Sequence, residues 1–218
     1  MADDSGDVTV IGCLKGGSAK TTTANYLGFV QAVMKKRKKV MVVDADTISQ
    51  TTFDWAKDAK AKGIDYPFEV ERYPFEDIGD RLAELRAAGY AVFADIGGGN
   101  AALFTEALKV TDRLLVPVAP SEFDTRRLEP TFRTAKAAAL SHVRPEGFAA
   151  YVLLAKCSQS TRSARDARER LTSGSSPFPV LDAEVSLLVE YERAIGKVPT
   201  NLDEYAAVLD EMMAAEAS

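Results

Sequence analysis

Histidine and cysteine are almost missing from this chain: among 218 residues there is one histidine, His142, and two cysteines, Cys13 and Cys157. One histidine argues against a His-based zinc site and against a catalytic triad built on imidazole. Two well-separated cysteines build no disulfide framework, carry no metal-ligand spacing, and include no C-x-x-C pair. No run approaches the roughly 18 apolar residues of a membrane-spanning helix. The opening MADDSGD is acidic and polar, unlike a secretory signal. Internal repeats and low-complexity linkers are lacking as well, and only TSGSSP (172–177) reads as a flexible break. What remains is an ordinary globular balance, 46% hydrophobic and 27% charged. The expectation is a cytoplasmic α/β protein of one domain, 1–218, with 1–7 flexible and an acidic helix over 201–218.

Positive charge is absent from one end of the chain. Residues 201–218 hold five acids (Asp203, Glu204, Asp210, Glu211, Glu216) and no Lys or Arg, which matches the whole net charge of −5. The rest is balanced overall yet locally uneven. Between Tyr151 and Ser175 stand five basic residues (Lys156, Arg162, Arg165, Arg168, Arg170) against two acids (Asp166, Glu169). A globally acidic protein can still present such a basic face to an anionic partner.

Apolar, β-branched runs alternate with segments of helical period, the pattern of a parallel sheet wrapped by helices on both faces. Strands are expected at 8–13, 39–44, 68–73, 90–95, 113–120, 149–156 and 179–185. Helices are expected at 20–36, 51–62, 75–88, 101–109, 125–140, 162–172, 186–195 and 202–215.

Between the first strand and the first helix lies GCLKGGSAKTTT, Gly12 to Thr23. It lacks the glycines that the G-x-x-x-x-G-K-[ST] pattern places at positions 14 and 19, where Leu14 and Ala19 stand. Gly16 and Gly17 still let backbone approach a phosphate, and the helix N-terminus favours an anion. Lys20 suits the β- and γ-phosphates, and the Thr21 hydroxyl suits Mg²⁺. A glycine-rich turn with an incidental lysine is the alternative. Two acidic sites follow. The second strand ends in Asp44-Ala45-Asp46, where a strand-end pair capping the next helix is the plainer reading. The fourth strand ends in Asp95 and then Gly97-Gly98-Gly99, suited to a loop that changes conformation. An acid at that strand end lies beside the ligand crevice of a parallel sheet.

The octet Lys15-Gly16-Gly17-Ser18-Ala19-Lys20-Thr21-Thr22 resembles the deviant Walker A loop of the ParA/MinD family of dimeric ATPases. The resemblance extends through Asp44-Ala45-Asp46 and Val116-Pro117-Val118 with Pro120, where the family leads into an interface helix, to VSLLVEYERAIGKVP (185–199). It implies a P-loop NTPase fold of about seven or eight strands, with ATP or ADP and Mg²⁺ as cofactors and a homodimer formed with ATP. Lys15 is then the lysine that reaches the partner subunit's phosphates. Residues 16–22 bind nucleotide, with Lys20 also catalytic. Asp46 orients or activates water, and Thr21 and Asp95 hold the metal with support from Asp44. Thr47 replaces the family's proline and Gln50 lies further along than its glutamine. Ala19 replaces the commoner glycine, at little cost if its backbone is helical.

The resemblance also implies partition or positioning of DNA, bound without sequence preference, with a ParB-like or small adaptor partner. The chain opens almost at its first strand, so no extra N-terminal DNA-binding domain is expected. DNA contact then falls to Arg162, Arg165, Arg168 and Arg170, with Arg126, Arg127, Arg133, Lys136 and Lys156 secondary. The plainer reading of the four arginines is a solvated helix face paired with Asp166 and Glu169. A non-plasmid cargo (conjugation complex, microcompartment, receptor cluster) is the alternative on the same switch. A membrane-positioned ATPase of the MinD type would need a basic C-terminal amphipathic helix, which this acidic end does not offer. A small-molecule synthetase or metal-cluster carrier is a further class, the carrier disfavoured by the lack of paired cysteines.

Overall fold

The computed structural model describes residues 6–14, 17–47, 51–158, 161–173, 177–192 and 196–216. In chain order its elements are β1 (Asp7–Gly12), α1 (Lys20–Phe29, continued by a π-helical turn Val30–Met34), β2 (Val40–Asp44), α2 (Thr51–Ala61), β3 (Glu69–Arg72), α3 (Ile78–Ala87), β4 (Ala91–Ile96), α4 (Ala101–Leu108), β5 (Arg113–Val118), α5 (Glu122–Thr125), α6 (Leu128–Ala139), β6 (Ala149–Cys157), α7 (Ser163–Thr172), β7 (Val180–Ser186), α8 (Val189–Glu192) and α9 (Asp203–Glu216). The strands form one seven-stranded sheet in the order β3-β2-β4-β1-β5-β6-β7. Every pairing is parallel. The chain works outward from β1 to β3 on one side, then returns through β4 and crosses to β5 on the other. The ligand crevice of such a sheet opens at the strands' C-terminal ends beside that switch.

Alternation along the strands builds two cores. Val8, Val10, Val92, Ala94, Leu114, Val116, Val152 and Leu154 face one side and pack against α3, α4, α6 and α7. Ile11, Val42, Phe93, Leu115, Leu153 and Ala155 face the other and pack against α1, α2 and α9. Burial on both faces is why these strands read as nearly continuous apolar runs. Close approach matters at Gly28 of α1. A Cβ there would stand 2.8 Å from a Val42 methyl and 3.2 Å from the Phe68 ring.

Three expected helices differ from their predicted form. The helix over 125–140 is split into α5 and α6. Ser121 caps the first by accepting the Asp124 N–H at 3.1 Å, and Pro130 sits in the first turn of the second, where no intrahelical donor is lost. The helix from 186 is corrected: β7 runs to Ser186, in register with Cys157, and only the turn α8 follows within the described residues. The first helix ends in a π turn and stops at Lys36, whose φ is 56°.

Candidate functional site

Between β1 and α1, Gly17 takes φ 75°, open to glycine at no steric cost. Ala19 takes φ 66°, ψ 17° immediately before α1. The condition under which alanine would cost little, a right-handed helical backbone, is not met. An L side chain in the left-handed region costs on the order of 1–2 kcal/mol, and glycine would avoid it. Lys15 and Gly16 lie outside the described residues, as does Gln50.

From this turn α1 projects its first residues over the ends of β1 and β4. The Thr21 hydroxyl donates to Asp95 Oδ2 at 2.7 Å, and the Thr52 hydroxyl donates to the same oxygen at 3.1 Å. Asn25 ties the two threonines together, donating from Nδ2 to the Thr21 carbonyl at 2.9 Å and to Thr52 Oγ1 at 3.2 Å. Lys20 is buried beside them. Burial dominates the titration of Asp95 and pushes its carboxyl up to about 6. The hydroxyl of Thr21 opposes that rise, the Asp44 carboxylate adds to it, and Lys20 and Thr52 oppose it.

Asp44 faces Asp95 across the β2–β4 register. Its Oδ1 accepts the Asp46 N–H at 3.1 Å and its Oδ2 accepts the Phe53 N–H at 2.9 Å. Desolvation raises its pKa, and these two N–H bonds oppose the rise. Asp44 therefore anchors the Asp46 turn and the start of α2, a capping role the sequence had offered as the plainer reading. Asp46 is half-buried and packs its carboxylate against Gly97, where a Cβ would come within 2.7 Å of Cγ.

These groups border a cavity of about 740 Å³. Gly17, Ser18, Ala19, Lys20, Thr21, Thr22 and Asp46 line it, with Gly98 and Gly99 on the loop after β4 and Ser186, Leu187, Leu188 and Tyr191 on the far wall. The far wall is held by α9. Glu204 accepts the Ser186 N–H at 2.9 Å, the Ser186 hydroxyl at 2.7 Å and the Tyr191 hydroxyl at 2.8 Å. None of the far wall is assigned to the site from the sequence, and two polar lining groups stand out among those left unassigned, Lys156 and Tyr191. Lys156 donates Nζ to the Gly17 carbonyl at 2.9 Å, although it had been placed among secondary surface cations. Tyr191 lies in a helix whose extent was overestimated.

The arginines of α7 do not act as one set. Arg162, Arg165 and Arg170 are exposed. Arg168 is corrected: it is half-buried, donates to the Leu181 carbonyl and to the Asp182 carbonyl at 3.1 Å, and pairs with Glu184 at 2.8 Å. It ties α7 to β7 instead of facing solvent, and its partners are not the expected Asp166 and Glu169. On α6 and its approach, Arg126 pairs with Glu122, and Arg133 with Glu129 at 3.0 Å, one helical turn away each. No described helix is long and apolar enough to cross a membrane.

No protein-family model and no curated protein matches the chain. Solved structures share its fold. A plasmid partition protein from Borrelia burgdorferi bound to AMPPNP is 15% identical, with a TM-score of 0.71 over 96% of this chain and 99% of that one. McdA from Cyanothece is 16% identical, with a TM-score of 0.73 over 95% and 99%. Cobyrinic acid a,c-diamide synthase from Mycobacterium smegmatis, with bound ATP analog and magnesium, is 17% identical, with a TM-score of 0.74 over 97% and 96%. The likeness is one of fold, and it covers nearly the whole chain. The chain has the P-loop NTPase α/β fold, as expected, with seven strands in its sheet.

Proposed function

We propose that this chain is a Mg²⁺-dependent ATPase of the ParA/MinD type. In this reading it dimerises with ATP, holds DNA without sequence preference, and positions that DNA with a partner protein. The observation that carries the proposal is the contact of Thr21 with the buried Asp95, made where Lys20 and Thr21 line a cavity of about 740 Å³. The residues present suit a nucleoside triphosphate. Ser18 Oγ is buried without a hydrogen-bond partner among the described residues, Lys20 is a buried cation, and α1 directs its N-terminus at the cavity. Among the described residues no three acids, histidines or cysteines converge as metal ligands. Mg²⁺ needs no such cage, since one or two protein oxygens, phosphates and water complete its shell. Thr21 and Asp95 fit that requirement.

When bound, ATP and Mg²⁺ supply the phosphoryl group passed to water and the charge that eases its departure. Lys20 neutralises phosphate charge from within the subunit. Asp46 orients the attacking water and accepts its proton at the carboxylate, while Asp44 fixes Asp46 through the backbone N–H. Lys15 adds a cation from the other subunit, which couples turnover to dimerisation. Without a partner protein, incomplete neutralisation keeps hydrolysis slow.

The fold is shared with a synthase as well as with partition proteins, so the DNA assignment rests on charge. Arg162, Arg165 and Arg170 are its candidate contacts, and Arg168 supports the helix that presents them. Retention on non-specific duplex DNA at low salt, with ATP and Mg²⁺ against ADP and Mg²⁺, tests this. Retention only with ATP, falling as salt rises, supports the reading. ATP-dependent dimers that ignore DNA in both states would assign the switch to another cargo.

A further inference from the structure

We propose that Lys156 is a positioning residue for the phosphate loop. Its ammonium holds the Gly17 carbonyl, fixes the left-handed turn that leads into α1, and brings a second cation of the same subunit to the cavity rim. The inference rests on reading that cavity as a nucleoside polyphosphate site. Three observations converge on it. The first is the contact itself, 2.9 Å between Nζ and the Gly17 oxygen, made across 139 positions of sequence.

The second is the backbone. Lys156 has φ 58°, a region that L side chains seldom occupy. It stands where β6 slips its register against β7, between Leu154 and Cys157. Leu154 and Cys157 are buried in the core beneath, and Lys156 is exposed above them. A long flexible cation gains nothing in packing from this conformation, and strain of this kind is retained where a side chain must be aimed.

The third is chemistry. An ammonium has three donors and the carbonyl accepts one, so two remain for phosphate oxygens. Lys156 lines the same cavity as Lys20 and Thr21, and among the described residues no carboxylate pairs with it. The second observation also separates function from fold. A glycine at 156 would relax the backbone while removing the ammonium.

The experiment uses the full chain and the variants Lys156→Met, Lys156→Arg and Lys156→Gly. Hydrogen exchange of the Ser18 and Ala19 amides is followed without nucleotide. Calorimetry then measures affinity for ADP and for adenosine. For Lys156→Met, the expected results are roughly tenfold faster loop exchange, about tenfold weaker ADP binding and unchanged adenosine binding, the loss of one charge-assisted bond. Lys156→Arg should recover most of both. Lys156→Gly should keep or raise Tm yet lose ADP affinity as the Met variant does. Wild-type exchange and wild-type ADP affinity in Lys156→Met would overturn the proposal, as would an equal loss for adenosine. If the unaltered protein binds neither ligand, the nucleotide reading falls, and loop exchange alone still decides whether Lys156 positions the loop.

Discussion

At the scale of the residue, the site depends on two places where a side chain and a backbone compete for room. Ala19 stands at φ 66° beside the cavity. Ala19→Gly should stabilise the ligand-free protein by about 1 kcal/mol, set by the left-handed penalty less glycine's added freedom when unfolded. In a chain of this length that raises Tm by roughly 2–4 °C, and an unchanged or lower Tm would show the turn to be unstrained. Gly97 is the converse case. A Cβ there would meet the Asp46 carboxylate at 2.7–3.0 Å, so Gly97→Ala should displace Asp46. Turnover should fall at least tenfold, about 1.4 kcal/mol of barrier, with ADP binding kept. Equal losses of both would assign Gly97 to loop folding instead. Neither effect was legible in the sequence. The lack of the usual glycine at 19 is visible in the sequence but the φ of 66° that makes it costly is not, and the crowding at 97 comes from a residue 51 positions earlier that only the β2–β4 pairing brings near.

At the scale of the element, legibility followed burial. The strands β1, β2, β4, β5 and β6 are apolar on both faces, so their runs announced themselves within a residue or two. The joint between α5 and α6 was less visible, because Thr125 and Leu128 keep helical spacing across it and both are buried. The extension of β7 through Ser186 was hidden for another reason: its partners are Cys157 on a bulged strand and Glu204 on a distant helix. That last contact gives a test. Glu204→Ala leaves the Ser186 and Tyr191 donors without their acceptor, at a cost of about 2–3 kcal/mol. The cavity's far wall should loosen, weakening nucleotide affinity together with a fall in Tm. A stability loss with full affinity would confine Glu204 to packing α9 on β7.

At the scale of the whole molecule, the proposed switch requires two copies, and its key lysine, Lys15, lies outside the described residues. Lys15→Gln should bind ATP with near-normal affinity yet lose hydrolysis or ATP-dependent dimerisation. Analytical ultracentrifugation with a turnover assay reads both, and a variant with wild-type behaviour in each refutes the trans-lysine idea. The order of the sheet carries one more consequence. β1 is flanked by β4 and β5, Thr21 finds Asp95 74 positions away, and Gly17 meets Lys156 from 139 away. The loop before α1 is thus synthesised well ahead of the residues that complete it. A topology this rich in distant parallel pairings folds slowly, and a nascent chain carries the loop's residues well before it has a pocket. In the proposed reading, ATP would therefore select the finished fold without capturing the unfinished one.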